Sequence, residues 1–188
     1  LVAWTGQSNA PVAMYEDERP RSGWAEILFL AERLAPSPPL VPAAPRERAF
    51  VLGLCHEICG EHGLGWTRRL QLLSGVADAP RDSLPWKYGV EDRAAVARAR
   101  ERTSEILALL AEQLAASGGP YLMGGALRAV DVYWACFSNL IAPLPPELSP
   151  MPEYVRVPYS SWDGGCDPAL LALRDRVFEQ HLGLPQTF

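Results

Sequence analysis

The chain has 188 residues, which is enough for one large domain or two small ones without a disulfide or metal to stabilise them. Apolar residues make up 48% and charged residues 21%, proportions that exclude an intrinsically disordered chain. The net charge of −5 argues against a nucleic-acid or anionic-membrane partner. Because Pro and Gly interrupt the apolar runs early, the sequence predicts no transmembrane helix. We therefore expect an acidic globular protein that binds neither nucleic acid nor membrane.

The cysteines are too sparse for a disulfide scaffold and none has Cys-x-x-Cys spacing, which indicates a reducing, cytoplasmic compartment. No signal-peptide pattern is present at the start. Because the chain begins with Leu1 rather than Met, we expect that its start has been trimmed or lies upstream. The four cysteines are Cys55, Cys59, Cys136 and Cys166.

The first forty residues combine a strand pattern with a helix pattern. The apolar run 11–15 predicts a strand, and the acidic residues 16–18 predict a turn. Apolar residues at helical spacing predict a helix over 24–34, with Ser22 as its N-cap and the prolines of 36–39 at its end.

A proline-rich segment separates this part from a helical remainder. Four prolines within residues 35–42 cannot continue a helix and favour an extended spacer. Residues 143–166 hold most of the later Pro and Gly and are expected to form a loop. Helices are predicted over 46–61, 92–117, 130–141 and 168–181. Gly63 and Gly65, which follow the first of these, are expected to loosen or kink it.

These patterns predict an α+β N-terminal part over 1–36, a linker over 37–44 and an all-α helical bundle over 45–188. Within the bundle, we expect Tyr133 and Trp134 to pack rather than bind. Asp131 is interpreted as a structural residue that accepts hydrogen bonds from backbone N–H groups near the start of its helix.

Three segments in order resemble the glutathione S-transferase family: residues 9–14 (NAPVAM), 22–31 (SGWAEILFLA) and 124–133 (GGALRAVDVY). Members have a thioredoxin-like domain followed by an all-helical domain. The resemblance implies that residues 1–36 are the remnant of the thioredoxin-like domain. It also implies that the first strand, first helix and second strand, with the Tyr, Ser or Cys that activates the thiol, precede residue 1.

The resemblance also implies a glutathione site. Pro11 would follow a cis peptide bond, so that the backbone of Ala10 pairs with the cysteinyl backbone of glutathione. Ser22 and Gly23, at a helix N-terminus, would offer N–H groups to the γ-glutamyl carboxylate. The alternatives are an ordinary trans proline that opens an edge strand, and a serine that merely caps its helix.

Residues 63–69 would border the site for the second substrate in this family. Gly63 and Gly65 would let a ligand approach, Trp66 offers a flat apolar face, and Arg68 or Arg69 could hold an anion. We assign Trp66 and Arg69 as candidate substrate-binding residues. The alternative is a kinked helix with two solvated arginines.

A metal site is the other candidate in this region. Cys55, Cys59 and His62 share a helical face, whereas His56 points about 100° away. Three such ligands could form an open zinc site. Since buried thiols on an apolar helix are common, we expect no metal.

The resemblance therefore implies a homodimeric enzyme with glutathione as cofactor, which transfers the thiolate to a small hydrophobic electrophile. The catalytic residue is not identified in this sequence. A non-catalytic relative that serves as a binding or scaffold protein is the alternative, since Gly23 and Arg128 depart from the family pattern. A third reading is an isomerase or dehalogenase that uses glutathione.

Overall fold

The structure, a computed structural model, describes residues 2–6, 10–76 and 79–186. Leu1 and Asn9, which belong to segments singled out above, lie outside the described residues. The described part is predominantly helical, and none of its helices combines the length and apolar character needed to cross a bilayer. The α-helices are α1 (Val2–Thr5), α2 (Trp24–Leu34), α3 (Pro45–Cys59), α4 (Leu64–Leu73), α5 (Leu84–Tyr88), α6 (Arg93–Ser117), α7 (Ala129–Phe137), α8 (Glu153–Tyr159) and α9 (Pro168–Val177).

The strand predicted over 11–15 is reduced to a single antiparallel bridge between Ala13 and Arg21. Each of these residues donates its backbone N–H to the carbonyl of the other at 2.9 Å. Pro11, at the next hydrogen-bonding position of the ladder, has no N–H to donate, so the pairing does not extend past it. The described residues form no sheet, and the expected α+β character of the N-terminal part is not confirmed.

Helix α2 has the predicted bounds, but its N-cap is Gly23 rather than Ser22. Gly23 has extended dihedral angles and no side chain, so no side-chain oxygen caps the first turn. The Glu26 carboxylate instead reaches back to the Gly23 backbone N–H, and it also accepts a hydrogen bond from Arg19 at 2.7 Å. The prediction that Ser22 caps this helix is therefore wrong.

The proline-rich segment is attached to the helices on both sides. Glu32 of α2 accepts hydrogen bonds from the backbone N–H groups of Leu40, at 2.8 Å, and Val41, at 3.3 Å. Arg128, at the start of α7, donates to the Pro39 carbonyl at 2.6 Å. Because Val41 is also buried in the core, this segment fixes α2 against the helical bundle.

The core lies between α3, α6, α7 and α9. Asp131 is fully buried and accepts hydrogen bonds from the backbone N–H groups of Leu122 and Arg128, both at 2.8 Å. Trp134 is fully buried and donates its indole N–H to the Leu170 carbonyl at 2.8 Å. These contacts agree with the structural interpretation of Asp131 and with the packing role predicted for Trp134.

The predicted helix 46–61 ends earlier and does not continue through a kink. Helix α3 ends at Cys59, and Gly63 is the N-cap of the separate helix α4. A Cβ atom at Gly65 would lie 2.1 Å from a ring carbon of Phe137, so only glycine lets α4 approach α7 this closely.

The remaining helices agree with the sequence patterns except for three short ones, of which the first, α1, was not predicted. Asp92 and Asp167 cap α6 and α9 with their side chains, as their types predict. Helix α7 is continued by a 3₁₀ turn, and α9 by a π-helical turn. Helix α5 was not predicted, and α8 lies inside the predicted loop 143–166.

Candidate functional site

The six candidate site residues line one cleft with a volume of about 410 Å³. They come from the N-terminal segment, from the start of α2 and from α4, so only the folded chain brings them together. They are Ala10, Pro11, Ser22, Gly23, Trp66 and Arg69. The cleft is completed by Trp24, Ile27, Cys59, Gly65, Tyr88, Tyr133 and Phe137.

One side of the cleft is an exposed rim formed by Ala10, Pro11, Ser22 and Gly23. The Ala10–Pro11 peptide bond is cis, as the resemblance implied. At the start of α2, no side chain caps the first-turn N–H groups. The rim therefore offers backbone hydrogen-bonding groups and the positive end of a helix dipole to a ligand.

Tyr133 and Trp24 form an inner wall of the cleft. Their rings meet edge to face with centroids 6.0 Å apart, and the Tyr133 hydroxyl donates to the Trp24 carbonyl at 3.2 Å. Burial raises the pKa of Tyr133, so its hydroxyl stays protonated at neutral pH. Tyr133 thus packs, as predicted, and also lines the cleft, which the sequence analysis did not anticipate.

The opposite wall is aromatic. The rings of Trp66 and Tyr88 meet at 66° with centroids 4.9 Å apart. Phe137 lies beside them and contacts the position of Gly65, where the two helices come close. Tyr133 and Phe137 are four residues apart on α7 and share a face, a spacing that could have identified both from the sequence. Tyr88 had no such signal because α5 is too short for periodicity to show.

Arg69 is the cationic side chain of this wall. Its Nη1 donates to the Gly65 carbonyl at 3.1 Å, and its guanidinium carbon lies 6.0 Å from the Tyr88 ring centroid and 5.6 Å from that of Phe137. Among the described residues no carboxylate forms an ion pair with it. The aromatic wall therefore carries a positive charge that is free to meet an anion.

The neighbouring Arg68 points to the other side of α4 and is 4% exposed. Its Nε donates to the Leu140 carbonyl at 2.9 Å, and its Nη2 donates to the Ser161 hydroxyl at 2.9 Å. Burial lowers the pKa of Arg68. Of the two arginines considered for anion binding, only Arg69 lies in the cleft, and the expectation of two solvated arginines is wrong.

The cysteines and His62 do not assemble on one face. Because α3 ends at Cys59, His62 lies in the following turn, where its side chain is exposed. Burial raises the pKa of Cys55 to about 12 and raises that of Cys59 as well, so both thiols are neutral. No group of three or more potential metal ligands was found within residues 2–6, 10–76 and 79–186.

No family model, curated protein or solved structure was found to match this chain. The function of the cleft is therefore inferred from its shape, its charge and the chemistry of its residues. Apolar and aromatic side chains dominate the lining, and the polar groups occupy two places, the backbone rim and Arg69. This combination is typical of small-molecule sites, which are mostly apolar with a few orienting polar groups.

Proposed function

We propose that this protein is a glutathione S-transferase-like enzyme that binds glutathione in the cleft and transfers its thiolate to a small hydrophobic electrophile. The observation that carries the proposal is the meeting of all six candidate residues in one cleft. The N-terminal segment, the start of α2 and α4 supply these residues, so the glutathione and substrate positions that the resemblance implies are adjacent in the fold.

The exposed rim is suited to the peptide part of glutathione. Ala10 and Pro11 line the cleft, where the Ala10 backbone can pair with the cysteinyl backbone of the ligand. The start of α2 lies on the same rim, and its first-turn N–H groups can donate hydrogen bonds to the γ-glutamyl carboxylate.

The aromatic wall is suited to the electrophile. Ile27, Trp66 and Phe137 supply apolar surface next to the rim, so an electrophile bound there would lie close to the glutathione sulfur. The volume of about 410 Å³ falls in the range of sites for small ligands.

The chemistry requires a thiolate. An enzyme of this class lowers the pKa of the glutathione thiol, so that the thiolate is available near neutral pH to attack the electrophile. The cysteines of this chain do not supply the nucleophile, since burial keeps the Cys59 thiol, at the cleft, in its neutral form. The proposal places the nucleophile on glutathione.

The proposal includes a cytoplasmic homodimer. Large apolar side chains on α2 and α3 are exposed, among them Phe29 at 38% and Phe50 at 46%. A second copy that covered these side chains would remove apolar surface from water. Sedimentation equilibrium of the purified protein would distinguish a dimer from a monomer.

Calorimetric titration with reduced glutathione tests the binding step. Gly23→Leu places a side chain on the rim without strain, because Gly23 has ordinary extended dihedral angles and a Cβ there meets only Glu26, at 3.4 Å. Gly53→Leu is the matched control, since Gly53 is exposed on α3 and a Cβ there meets nothing within 4 Å.

We expect the wild type and Gly53→Leu to bind glutathione with micromolar to low-millimolar affinity, and Gly23→Leu to bind at least about tenfold more weakly. No heat of binding for the wild type at about 10 mM glutathione would contradict the proposal. Binding without turnover of 1-chloro-2,4-dinitrobenzene would favour the alternative, a non-catalytic binding or scaffold protein, for which the uncapped α2 N-terminus is the supporting observation.

A further inference from the structure

Arg69 lies at the boundary of two clefts. It lines the first cleft together with Trp66 and also borders a second one of about 460 Å³ between α4, α7 and α8. Apolar space is therefore available on both sides of its guanidinium. The second cleft is lined by Arg69, Cys136, Phe137, Asn139, Leu140, Met151, Pro152, Val155 and Tyr159.

Among the residues that the structure describes, the guanidinium of Arg69 contacts rings and a carbonyl oxygen but pairs with no carboxylate. The rings of Tyr88 and Phe137 contact it, and one of its five N–H groups donates to the Gly65 carbonyl. Other arginines of the described part, such as Arg19 and Arg102, pair with carboxylates instead. A half-buried guanidinium that borders two clefts and makes one hydrogen bond within the described part of the chain is suited to a carboxylate, which it can bind through two parallel hydrogen bonds.

The surroundings of Arg69 favour an aromatic anion over a small inorganic one. Trp66 and Tyr88 already meet edge to face, and a third ring can contact them in the same manner. An aromatic ring with a carboxylate would place its ring against these side chains and its charge on Arg69. Burial beside aromatic groups strengthens such a pairing, because the local dielectric is lower than in water.

We propose that the electrophile is an aromatic compound bearing a carboxylate, which pairs with Arg69 while its ring packs against Trp66, Tyr88 and Phe137. This inference rests on the proposed function for the transfer step, but the binding of the aromatic carboxylate does not need glutathione. The rim residues 10–23 hold glutathione, and Arg69 on the aromatic wall selects the second substrate.

An aromatic chloride illustrates the reaction with such a substrate. The glutathione thiolate attacks the ring carbon that carries chlorine, and a C–S bond forms. The C–Cl bond breaks and chloride leaves with the bonding electron pair. The thiol proton is released to solvent, so the exchange is a substitution in which no external oxidant or reductant takes part.

The first experiment measures binding without glutathione, with 3-nitrobenzoate and its neutral analogue 3-nitrobenzamide as probes. We expect the wild type to bind the carboxylate at least about tenfold more tightly than the amide. Arg69→Met should abolish this preference and keep the affinity for the amide. Arg98→Met is the matched control, because Arg98 is an exposed arginine of α6 that does not line either cleft that Arg69 borders.

Three outcomes would overturn the proposal: equal affinity of the wild type for both probes, a preference that persists in Arg69→Met, or a preference that is lost equally in Arg98→Met.

A titration with glutathione separates this inference from the proposed function. If Arg69→Met weakens glutathione binding rather than 3-nitrobenzoate binding, Arg69 belongs to the glutathione site and the inference is wrong. If the wild type binds 3-nitrobenzoate through Arg69 but does not bind glutathione, the anion site is supported and the transferase function is contradicted.

The second experiment measures turnover of 4-chloro-3-nitrobenzoate and 4-chloro-3-nitrobenzamide with glutathione. We expect Arg69→Met to lower the ratio of the two kcat/KM values at least about tenfold, because the lost interaction concerns only the carboxylate. The ratio in the wild type should also fall as ionic strength rises, since salt screens a half-exposed pair. An unchanged ratio in Arg69→Met would overturn the proposal even if both substrates react.

Discussion

Two adjacent arginines lie on opposite faces of α4 and differ in how many hydrogen bonds their guanidinium groups make. On the inner face, the guanidinium of Arg68 donates to the Leu140 and Pro158 carbonyls, to Gln71 and to Ser161. On the cleft face, Arg69 makes one such hydrogen bond among the described residues. A buried polar group with most of its donors used holds the fold together, whereas one with most of its donors unused at a cleft is available to a ligand.

The same contrast separates two tryptophans. Trp134 of α7 is fully buried, and its indole N–H donates to the Leu170 carbonyl. Trp66 of α4 is half-buried, with its ring turned to the cleft. Removal of residues on the inner side should therefore reduce stability, and removal on the cleft side should reduce binding.

The largest expected effect comes from the tryptophan of the core. Trp134→Ala should lower the free energy of unfolding by about 3–5 kcal/mol, because it opens a cavity and leaves the Leu170 carbonyl without its donor. Trp66→Ala should cost clearly less, since part of that ring is already in contact with water. Urea denaturation of both variants measures the difference, and equal losses would show that the core and the cleft wall do not differ as described.

The arginine pair gives the next largest contrast. Arg68→Met should lower the free energy of unfolding by about 3 kcal/mol, because several hydrogen bonds from a charged donor are lost and buried carbonyls are left without partners. Arg69→Met should change it by less than about 0.5 kcal/mol. The comparison uses the same substitution at neighbouring positions, so a larger loss for Arg69→Met than for Arg68→Met would reverse the assignment of the two roles.

Much of the helical part could be predicted from local patterns. The caps at Asp92 and Asp167 and the bounds of α2 follow from residue types and spacing that act within one turn. The cap at Ser22 was wrong because only the path of the backbone decides whether the first helical residue follows Ser22 or Gly23. The prediction of a strand over 11–15 was wrong for a related reason, since a strand depends on a pairing partner that the local pattern does not contain.

The candidate site, like the fold, could be predicted from the sequence only in part. Trp66 and Arg69 could be selected as chemically suitable, but no residue pattern explained why Arg69 rather than Arg68 would line the cleft. That distinction depends on which face of α4 meets α7, and Gly65 sets it by allowing Phe137 to lie against the helix backbone. Tyr88 reaches the cleft only through the packing of the short helix α5.

Gly65 offers a way to disturb both faces at once. In Gly65→Ala the new methyl group would lie 2.1 Å from the Phe137 ring, which must shift, and we expect a loss of about 1–3 kcal/mol from this overpacking. The shifted ring would also alter the aromatic wall and weaken the binding of 3-nitrobenzoate. Gly53→Ala, on the exposed side of α3, should be neutral or stabilising, because alanine favours a helix over glycine. If Gly65→Ala is as stable as Gly53→Ala, the close approach of α4 and α7 is not a constraint.

The smallest expected effect is a pH dependence that belongs to the core. Burial raises the pKa of Asp131, although hydrogen bonds from the Leu122 and Arg128 N–H groups act to lower it. Since the folded pKa then lies above the unfolded value of about 3.9, the folded chain binds more protons between these two values. The resulting stabilisation is fully present below the unfolded pKa and is lost as the pH rises through the folded pKa.

Asp131→Asn removes this titration while it keeps the size of the side chain, and it lacks one of the two acceptor oxygens that the backbone N–H groups use. We therefore expect the variant to be less stable than the wild type, and the difference between them to shrink as the pH rises from about 4 to 7. The stabilisation lost over this range totals about 1.4 kcal/mol for each unit by which the folded pKa exceeds the unfolded one. The exposed carboxylates of Glu18 and Glu26, whose pKa values are lowered by their arginine partners, act in the opposite direction, but they are present in both proteins and cancel. A difference that grows with pH would mean that the two N–H hydrogen bonds lower the pKa of Asp131 by more than burial raises it. Asp131 would then behave like a well-paired carboxylate at the surface, against the contrast between buried and cleft-side residues.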